Sequence, residues 1–216
     1  MAKKNNQNKS QQKFHLEFLN PLQKLAWSAF QQSDVLFMAG SAGTGKTFLA
    51  TAFAVNEILR QSKSKIILTR PIVEAGEKLG YLPGTKEEKV DPYMAPFYDC
   101  LNKLVGYSGP QREMINSSLE IAPLAFLRGR TFDKSICILD EAQNCSMMQL
   151  KLFLTRLGKD SKMIVTGDPL QSDIQDSGFI KAINALETVD GISIIKFDNT
   201  AIVRHPIVGA ILDRLP

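Results

Sequence analysis

The amino-acid sequence predicts one α/β domain, built on a mainly parallel sheet of five or more strands with helices on both faces. Two observations carry this prediction. Five short apolar runs, each as long as a buried strand, alternate with segments whose apolar side chains recur at helical spacing. The first run leads directly into a glycine-rich loop and a helical segment, which is the strand–loop–helix order of α/β folds.

The apolar runs and helical segments follow one another along most of the chain. The predicted strands are residues 35–39, 65–69, 136–140, 163–167 and 192–197. The predicted helices are residues 21–32, 46–60, 94–107, 110–119, 146–157, 177–187 and 206–214. Glycines and prolines over residues 74–93 predict a long loop with little regular structure. Residues 119–132 are expected to form a short strand or turn beside the sheet.

Length and charge indicate one domain preceded by a basic tail. With 216 residues, the chain has the size of a single globular domain, and we expect residues 14–216 to form it. Residues 1–13 hold four lysines and no acid, and we expect them to be disordered. Outside this tail the chain has 22 basic and 22 acidic residues, so the net charge of +4 comes from the tail and does not establish nucleic-acid binding. The tail either touches nucleic acid or only favours solubility.

The sequence gives no sign of a membrane segment or a disulfide framework. No apolar run of about 18 residues is present, and the amino terminus lacks the apolar core of a secretory signal, so no membrane association is expected. Cys100, Cys137 and Cys145 are too few and too scattered for a disulfide framework or a C-x-x-C metal site. A reducing, cytoplasmic setting is the simplest explanation of these cysteines.

The glycine-rich loop matches the phosphate-binding pattern G-x-x-x-x-G-K-[ST]. It consists of Gly40, Ser41, Ala42, Gly43, Thr44, Gly45, Lys46 and Thr47. Small residues between a buried strand and a helix let successive backbone N–H groups point at phosphate oxygens. Lys46 is expected to reach the β- and γ-phosphates of a nucleotide, and Thr47 to bind Mg²⁺. A chance match in a glycine-rich turn is the alternative, but the flanking strand and helix argue against it.

An acidic pair follows the third predicted strand, in "SICILDEAQN". Asp140 and Glu141 lie at the carboxyl end of that strand, where ligands bind in open α/β sheets. Asp140 is expected to hold Mg²⁺, and Glu141 to polarise the attacking water as a catalytic base. The alternative is that these acids cap the following helix. Together with the phosphate loop upstream, the pair favours an enzyme that hydrolyses a nucleotide.

A third signal is "MIVTGDPLQSD", in which a predicted strand ends at Gly167-Asp168 and Gln171 follows. Gln171 is expected to contact both the γ-phosphate and the attacking water. Taken alone, G-D-x-x-Q can be an ordinary turn that begins at Asp168-Pro169. In the order phosphate loop, Asp-Glu, Gly-Asp-Pro-Leu-Gln, the series resembles that of superfamily 1 helicase motor domains. The sequence has no guanine-reading N-K-x-D motif, so a GTPase is not expected.

Gln23, in "NPLQKLA", lies just upstream of the strand that leads into the phosphate loop. It resembles the glutamine with which those helicases read adenine. An amide donates and accepts a hydrogen bond, so it can pair with the edge of adenine and favour ATP over GTP. The alternative is a helix glutamine that faces solvent.

The sequence also resembles the PhoH-like ATPase family. The segments that carry the resemblance are "SAGTGKT", "TRPIVEAGEKLGYLPG", "KVDPYMAPFYD", "EIAPLAFLRGRTF", "ILDEAQN", "FLTRLG", "KMIVTGDPLQSD" and "IVRHPIV". They extend from about residue 20 to the end of the chain. The resemblance implies a RecA-like P-loop NTPase core and hydrolysis of ATP with Mg²⁺. It also implies a role on RNA or other single-stranded nucleic acid, with helicase activity as one form of it, and assembly into a hexameric ring.

Superfamily 1 helicases hold ATP between two RecA-like domains, and the second domain supplies an arginine that stabilises the transition state. One such domain is expected in this chain, so the arginine is expected from a neighbouring subunit in a head-to-tail ring. Arg204, in "AIVRHP", is the first candidate, because the family motif surrounds it. A surface arginine paired with a nearby acid is the alternative. The other candidates are Arg128, Arg130 and Arg156.

A polynucleotide site is predicted after the second strand. Thr69 and Arg70 end that strand at the same sheet edge as the phosphate loop, so they are expected to contact backbone phosphates. Lys78 and Tyr81, in the loop that follows, are candidates for an additional charge and a stacking face. That loop can equally pack against the next subunit.

The leading hypothesis is therefore a ring-forming ATPase that translocates on or remodels RNA or other single-stranded nucleic acid. The alternative is a regulatory protein whose assembly with a protein client depends on nucleotide, without helicase activity. Stimulation of ATP hydrolysis by nucleic acid distinguishes the two. A phosphotransferase is less favoured, because Glu141 and Gln171 suit the activation of water, and product analysis would reveal it.

Overall fold

A computed structural model of the protein describes residues 16–71, 86–198 and 214. Within these ranges the helices are α1 Pro21–Gln32, α2 Lys46–Leu59, α3 Lys86–Val105, α4 Pro110–Ser118, α5 Met147–Leu154 and α6 Phe179–Leu186. The strands are β1 Val35–Gly40, β2 Lys65–Thr69, β3 Leu119–Ile121, β4 Ser135–Leu139, β5 Lys162–Gly167 and β6 Ile192–Phe197. Two short 3₁₀ turns, Leu124–Leu127 and Ala142–Asn144, flank β4.

The strands form one parallel sheet in the order β3-β2-β4-β5-β1-β6. All five predicted strands are present, and the predicted α/β fold is confirmed. The sixth strand, β3, adds an edge beside β2 where the sequence predicts a short strand or turn. The order is that of a RecA-like sheet, because β5 separates β1, which leads into the phosphate loop, from β4, which ends before Asp140.

Helices cover both faces of the sheet, as predicted. Side chains alternate between the faces along each strand. Leu36 and Met38 of β1 lie in a buried cluster with residues of α1 to α4, whereas Val35 and Phe37 lie in a second cluster with residues of α5 and α6. Because the central strands are buried on both faces, they are continuous apolar runs in the sequence, and this made them easy to predict.

The main difference from the predicted elements is the start of α3. The helix begins at Lys86, so the predicted loop is wrong for residues 86–93. The lysines and glutamates at its start are good helix formers. Phe97 and Leu101, which are buried against the cluster that includes α2, hold the helix in place through Pro92 and Pro96. Tertiary packing therefore outweighs the backbone hydrogen bonds that these prolines cannot donate.

Three other predictions concern residues outside the described ranges. They are the basic tail at residues 1–13, the loop at residues 74–85 and the last helix at residues 206–213. Residue 214, at the end of that predicted helix, lies in a turn.

All three cysteines are free. Burial raises the pKa of the Cys100 thiol to about 11 and those of Cys137 and Cys145 to about 12. A thiol with such a pKa stays protonated at neutral pH, and its reactivity is low. Among the helices of the described ranges, none is both long and apolar enough to cross a membrane.

Candidate nucleotide-binding site

The glycine-rich loop connects the end of β1 at Gly40 to the start of α2 at Lys46. Gly43 and Gly45 have φ angles of 88° and 87°, in the left-handed region that favours glycine. Within the described residues no side chain caps the amino terminus of α2. Its first backbone N–H groups and the positive end of the helix dipole are therefore oriented for an anion. The loop has the geometry of a phosphate-binding site.

Gly40 allows β6 to approach the loop. A Cβ atom at this position would lie 2.4 Å from the carbonyl oxygen of Phe197 and 2.7 Å from its Cβ. Both distances are far below van der Waals contact, so any larger residue would push β6 away. The first glycine of the pattern is therefore required by packing at the edge of the sheet.

Lys46 folds back over the loop. Its Nζ donates to the carbonyl oxygens of Gly40 at 2.6 Å and Ser41 at 2.9 Å. Thr44, which is fully buried, also donates to the Ser41 carbonyl, at 3.0 Å, and this bond holds the turn. Since neutral carbonyls bind an ammonium group more weakly than a charged phosphate does, this lysine is well placed to transfer its hydrogen bonds to a nucleotide.

The two predicted magnesium ligands are in contact, although they are 93 residues apart in the chain. Thr47 Oγ1 donates to Asp140, with distances of 3.1 Å to Oδ1 and 3.3 Å to Oδ2. Thr166 Oγ1, at the end of β5, also donates to Asp140 Oδ1. Mg²⁺ at nucleotide sites takes one or two carboxylates together with phosphate and water oxygens. This hydroxyl and carboxylate set fits such an ion.

Glu141 has a left-handed backbone, with φ 56° and ψ 41°, which is uncommon for a residue other than glycine. Its carboxylate accepts two hydrogen bonds, one from Arg70 Nη2 to Oε1 at 2.8 Å and one from Gln143 Nε2 to Oε2 at 2.6 Å. Glu141 does not cap the 3₁₀ turn that follows it, and Ser146 caps α5. The helix-capping alternative for the acidic pair is therefore wrong.

Gln143 is a residue of the site that the sequence analysis missed. It is buried, and besides its bond to Glu141 its Oε1 accepts a hydrogen bond from the backbone N–H of Asp168 at 2.9 Å. The carboxylate of Asp168 in turn accepts from the backbone N–H of Ala42, in the phosphate loop, at 2.9 Å. A chain of hydrogen bonds thus links the predicted base to the loop. Its only sequence signal was its position, two residues after Glu141.

The two predicted glutamines of the site lie in different environments. Gln171 is exposed, and its backbone N–H donates to the carbonyl oxygen of Asp168 at 3.2 Å. Gln23 is only 3% exposed, so the alternative of a solvent-facing glutamine is wrong. The Oε1 atom of Gln23 accepts from the backbone N–H of Leu19 at 2.9 Å. The contacts of both glutamines with a nucleotide remain predictions.

The predicted nucleic-acid residues lie beside the acidic pair, because β2 and β4 are paired with Thr69 opposite Leu139. The Thr69 side chain is fully buried, and its hydroxyl finds no hydrogen-bond partner among the described residues. It is therefore not open to a polynucleotide in this structure. Arg70 is partly exposed and paired with Glu141. Lys78 and Tyr81 lie outside the described residues.

Two of the alternative arginine candidates are engaged within the chain. Arg130 Nη1 donates to Glu120 at 2.5 Å, and this hydrogen bond lowers the pKa of Glu120. Arg156 Nη1 donates to the carbonyl oxygen of Arg130 at 2.9 Å. Arg128 is exposed, and Arg204 lies outside the described residues. The supply of an arginine to a neighbouring subunit remains a prediction.

Comparison with known proteins gives matches over nearly the whole chain. The family model described as "PhoH-like protein" matches residues 15–215. A "PhoH-like protein" of Bacillus subtilis (strain 168) is 51% identical over 189 residues, covering 86% of this chain and 59% of the relative. A "PhoH-like protein" of Synechocystis is 47% identical over 188 residues, covering 86% of this chain and 57% of the relative. The "Protein PhoH" of Escherichia coli (strain K12) is 41% identical over 182 residues, covering 82% and 51%. The chain thus spans less than two thirds of the length of each of these relatives.

Solved structures with a similar arrangement are more distant. One is a "Sulfolobus solfataricus SWI2/SNF2 ATPase core in complex with dsDNA", with a TM-score of 0.49 and 15% identity, covering 87% of this chain and 46% of the other. Another is "The Phi-28 gp11 DNA packaging Motor", with a TM-score of 0.44 and 12% identity, covering 84% and 62%.

Proposed function

The chain belongs to the PhoH-like family, and from this premise we propose that it is a magnesium-dependent ATPase that acts on RNA or other single-stranded nucleic acid. The family and the P-loop fold support a nucleotide-binding ATPase. The contact of Thr47 with Asp140, beside Glu141, is the observation that carries the proposal, because it joins a phosphate loop, metal ligands and a base. The proposal includes assembly of the chain into a homo-oligomeric ring, a hexamer. It also includes a cytoplasmic location, which suits the three free cysteines.

In the proposed reaction, the loop N–H groups and Lys46 bind the β- and γ-phosphates of ATP. Thr47 and Asp140 would hold Mg²⁺, which would neutralise phosphate charge. Glu141 accepts a proton from water while the water oxygen bonds to the γ-phosphorus. The bond from that phosphorus to the β–γ bridging oxygen breaks, and ADP and inorganic phosphate leave. Gln143 orients Glu141 relative to the loop, through Asp168.

Two further contacts belong to this proposal. Gln23 pairs with the edge of adenine by donating from Nε2 and by accepting from the adenine amino group with the second lone pair of Oε1, since the first accepts the Leu19 N–H. Gln171 contacts the γ-phosphate and reports its loss, since the loop that carries it is hydrogen-bonded to Asp168. Movement of this exposed loop after hydrolysis would change the surface offered to a neighbouring subunit or to nucleic acid.

Action on nucleic acid is supported by the series of motifs shared with superfamily 1 motor domains and by the position of Arg70. This residue follows the carboxyl end of β2, beside the catalytic glutamate, and its side chain is 20% exposed. A guanidinium at such a place can bind a backbone phosphate with two parallel hydrogen bonds. Phosphate contacts of this kind hold a polynucleotide without regard to its sequence.

The experiment that tests the proposed function is steady-state ATP hydrolysis with and without a 20-nucleotide oligouridine, with Glu141→Gln as the blank. We expect turnover above the blank and a severalfold stimulation by the oligonucleotide. Turnover that is unaffected by oligouridine and by its DNA equivalent, and that rises with protein concentration, would support the regulatory alternative. In that case the ring acts on a protein client. Transfer of phosphate to an acceptor other than water would contradict hydrolysis.

Replacement of Lys46 by alanine is expected to weaken ATP binding by about tenfold to a hundredfold. The change removes a charged donor from the β- and γ-phosphates, and a hydrogen bond to a charged group contributes roughly 1.5–3 kcal/mol. Titration with a fluorescent ATP analogue measures the effect. Lys103→Ala, which removes an exposed lysine of α3, is the matched control. Equal affinities of the two variants would exclude Lys46 from phosphate binding.

A further inference from the structure

We infer that Arg70 is a positioning residue that restrains Glu141 until nucleic acid binds, and that a backbone phosphate releases Glu141 by taking over the Arg70 guanidinium. This inference rests on the proposed function and deepens it. It explains how occupation of a polynucleotide site would accelerate water activation at the neighbouring ATP site.

The restraint is visible in the hydrogen bonds of Glu141. One carboxylate oxygen accepts from Arg70 Nη2 at 2.8 Å and the other from Gln143 Nε2 at 2.6 Å. Gln143 is buried and held by Asp168, so it is a fixed anchor. Arg70 extends from the end of a different strand and is partly exposed, so it is the partner that a ligand can reach. Of the two bonds, the one to Arg70 is therefore the one that can be exchanged.

The position of Arg70 in the sheet makes the exchange direct. The parallel pairing of β2 with β4 places Thr69 opposite Leu139, and the backbone N–H of Asp140 donates to the Thr69 carbonyl at 3.1 Å. Thus the strand end that carries Arg70 is hydrogen-bonded to the strand end that carries the acidic pair. A displacement of Arg70 by a bound phosphate would act on Glu141 without any intervening element.

The competition is chemically reasonable because carboxylate and phosphate are alternative partners of the same guanidinium. A backbone phosphodiester carries one negative charge, as the carboxylate does, and its two non-bridging oxygens match the planar fork of arginine in a bidentate manner. The ion pair with Glu141 uses one guanidinium nitrogen and is partly exposed, with side chains 20% and 35% accessible. Pairs of this kind are weak in water, so a polynucleotide that approaches this edge can displace the carboxylate. A free carboxylate can then turn towards water at the γ-phosphate.

The first test compares the ATP turnover of Arg70→Ala, Arg70→Lys and wild type, each with and without a 20-nucleotide oligouridine. Without oligonucleotide, we expect Arg70→Ala to hydrolyse ATP about 1.5-fold to fivefold faster than wild type, which is the rate change that corresponds to the loss of a partly exposed ion pair. Its stimulation by oligouridine should fall to a ratio near one, with unchanged affinity for ATP. Arg70→Lys keeps the positive charge but lacks the planar guanidinium group. It should retain part of the restraint on basal turnover and part of the stimulation by oligouridine.

The control is Arg60→Ala, which removes an exposed arginine at the other end of α2, about 20 Å along the helix from the phosphate loop. It should behave as wild type. An unchanged or lower basal turnover in Arg70→Ala would overturn the restraint, whether or not the protein binds nucleic acid. A purely structural role of Arg70 would lower turnover and thermal stability together, and rescue by lysine would then restore both.

The second test measures the binding of fluorescent oligouridine in the absence of ATP. If Glu141 competes with phosphate for Arg70, Glu141→Gln should raise the affinity for oligouridine severalfold. Arg70→Ala should weaken binding about tenfold, and the double variant should show no gain from the glutamine. If Glu141→Gln raised the affinity for oligouridine equally in wild type and in Arg70→Ala, the gain would not depend on Arg70. That result would overturn the proposed competition.

The two tests separate this inference from the proposed function. If the wild-type protein hydrolyses ATP but neither binds nor responds to oligouridine, the proposed action on nucleic acid is contradicted. The basal turnover of Arg70→Ala would still show whether Arg70 restrains Glu141. Wild type and Arg70→Ala that are equally stimulated would overturn the inference while the proposed function stands. Turnover no higher than that of Glu141→Gln in every variant would contradict both.

Discussion

The substitution Glu141→Gln is expected to lower ATP turnover by about a hundredfold to ten-thousandfold while ATP affinity changes by less than about threefold. The amide has nearly the shape of the carboxylate, but it cannot accept a proton from water. It also keeps the length of the side chain, so Gln143 can still donate to the amide oxygen, whereas the NH2 group cannot accept the hydrogen bond from Arg70. Steady-state phosphate release measures turnover, and titration with a fluorescent ATP analogue measures affinity.

Comparison with Glu113→Gln controls for the loss of a negative charge, because Glu113 is exposed in the first turn of α4. That variant should hydrolyse ATP at the wild-type rate. If Glu141→Gln also retained more than about a tenth of wild-type turnover, the base would have to be another group, and the proposed role of Glu141 would be wrong. Loss of both binding and turnover would instead show that Glu141 maintains the site.

Alanine at Arg204 is expected to reduce turnover by about a thousandfold or more, with ATP binding retained. In the proposed ring, this arginine reaches the ATP of the neighbouring subunit and neutralises charge in the transition state. The same measurements of phosphate release and ATP affinity apply. Near-normal turnover of the variant would remove Arg204 from this role and leave Arg128, which is exposed, as the next candidate.

A mixing experiment decides whether the arginine acts between subunits. Lys46→Ala subunits keep Arg204 but bind ATP poorly, whereas Arg204→Ala subunits bind ATP but lack the arginine. If the residue acts in trans, a mixture of the two inactive variants should recover part of the wild-type turnover. A mixture as inactive as its components would contradict action in trans, provided that light scattering shows mixed oligomers.

The phosphate loop and the acidic pair were predictable because each is a short run of neighbouring residues with its own chemistry. Gly43 and Gly45 are needed for local backbone geometry, and a run of apolar residues before each motif identifies the strand that carries it. Even the meeting of Thr47 and Asp140 follows from the sequence. Asp140 follows the carboxyl end of β4, and Thr47 lies in the first turn of the helix that the phosphate loop joins to the carboxyl end of β1, so both lie at one edge of the parallel sheet.

Other parts of the site could not be predicted in this way. The sequence predicted that Arg70 contacts nucleic acid, but it could not show that the side chain pairs with Glu141, 71 residues away. Gln143 had no sequence signal besides its position after Glu141, because its contacts depend on the backbone of Asp168, which follows the neighbouring strand β5. For the start of α3, the glycines and prolines of residues 74–93 predicted a loop, whereas burial of Phe97 and Leu101 further along stabilises one helix that begins at Lys86.

The sequence by itself determined the α/β class, the five central strands and the identity of the phosphate-binding loop, because these follow from periodicity and from contiguous motifs. Only the tertiary structure decided how Arg70, Gln143 and Asp168 are arranged around these motifs at the edge of the sheet. The insertion of β5 between β1 and β4 brings Asp168 to the loop, 126 residues from Ala42, and the pairing of β2 with β4 brings Arg70 to Glu141. Such contacts depend on strand order, which is set by packing of the whole domain and leaves no local trace in the sequence.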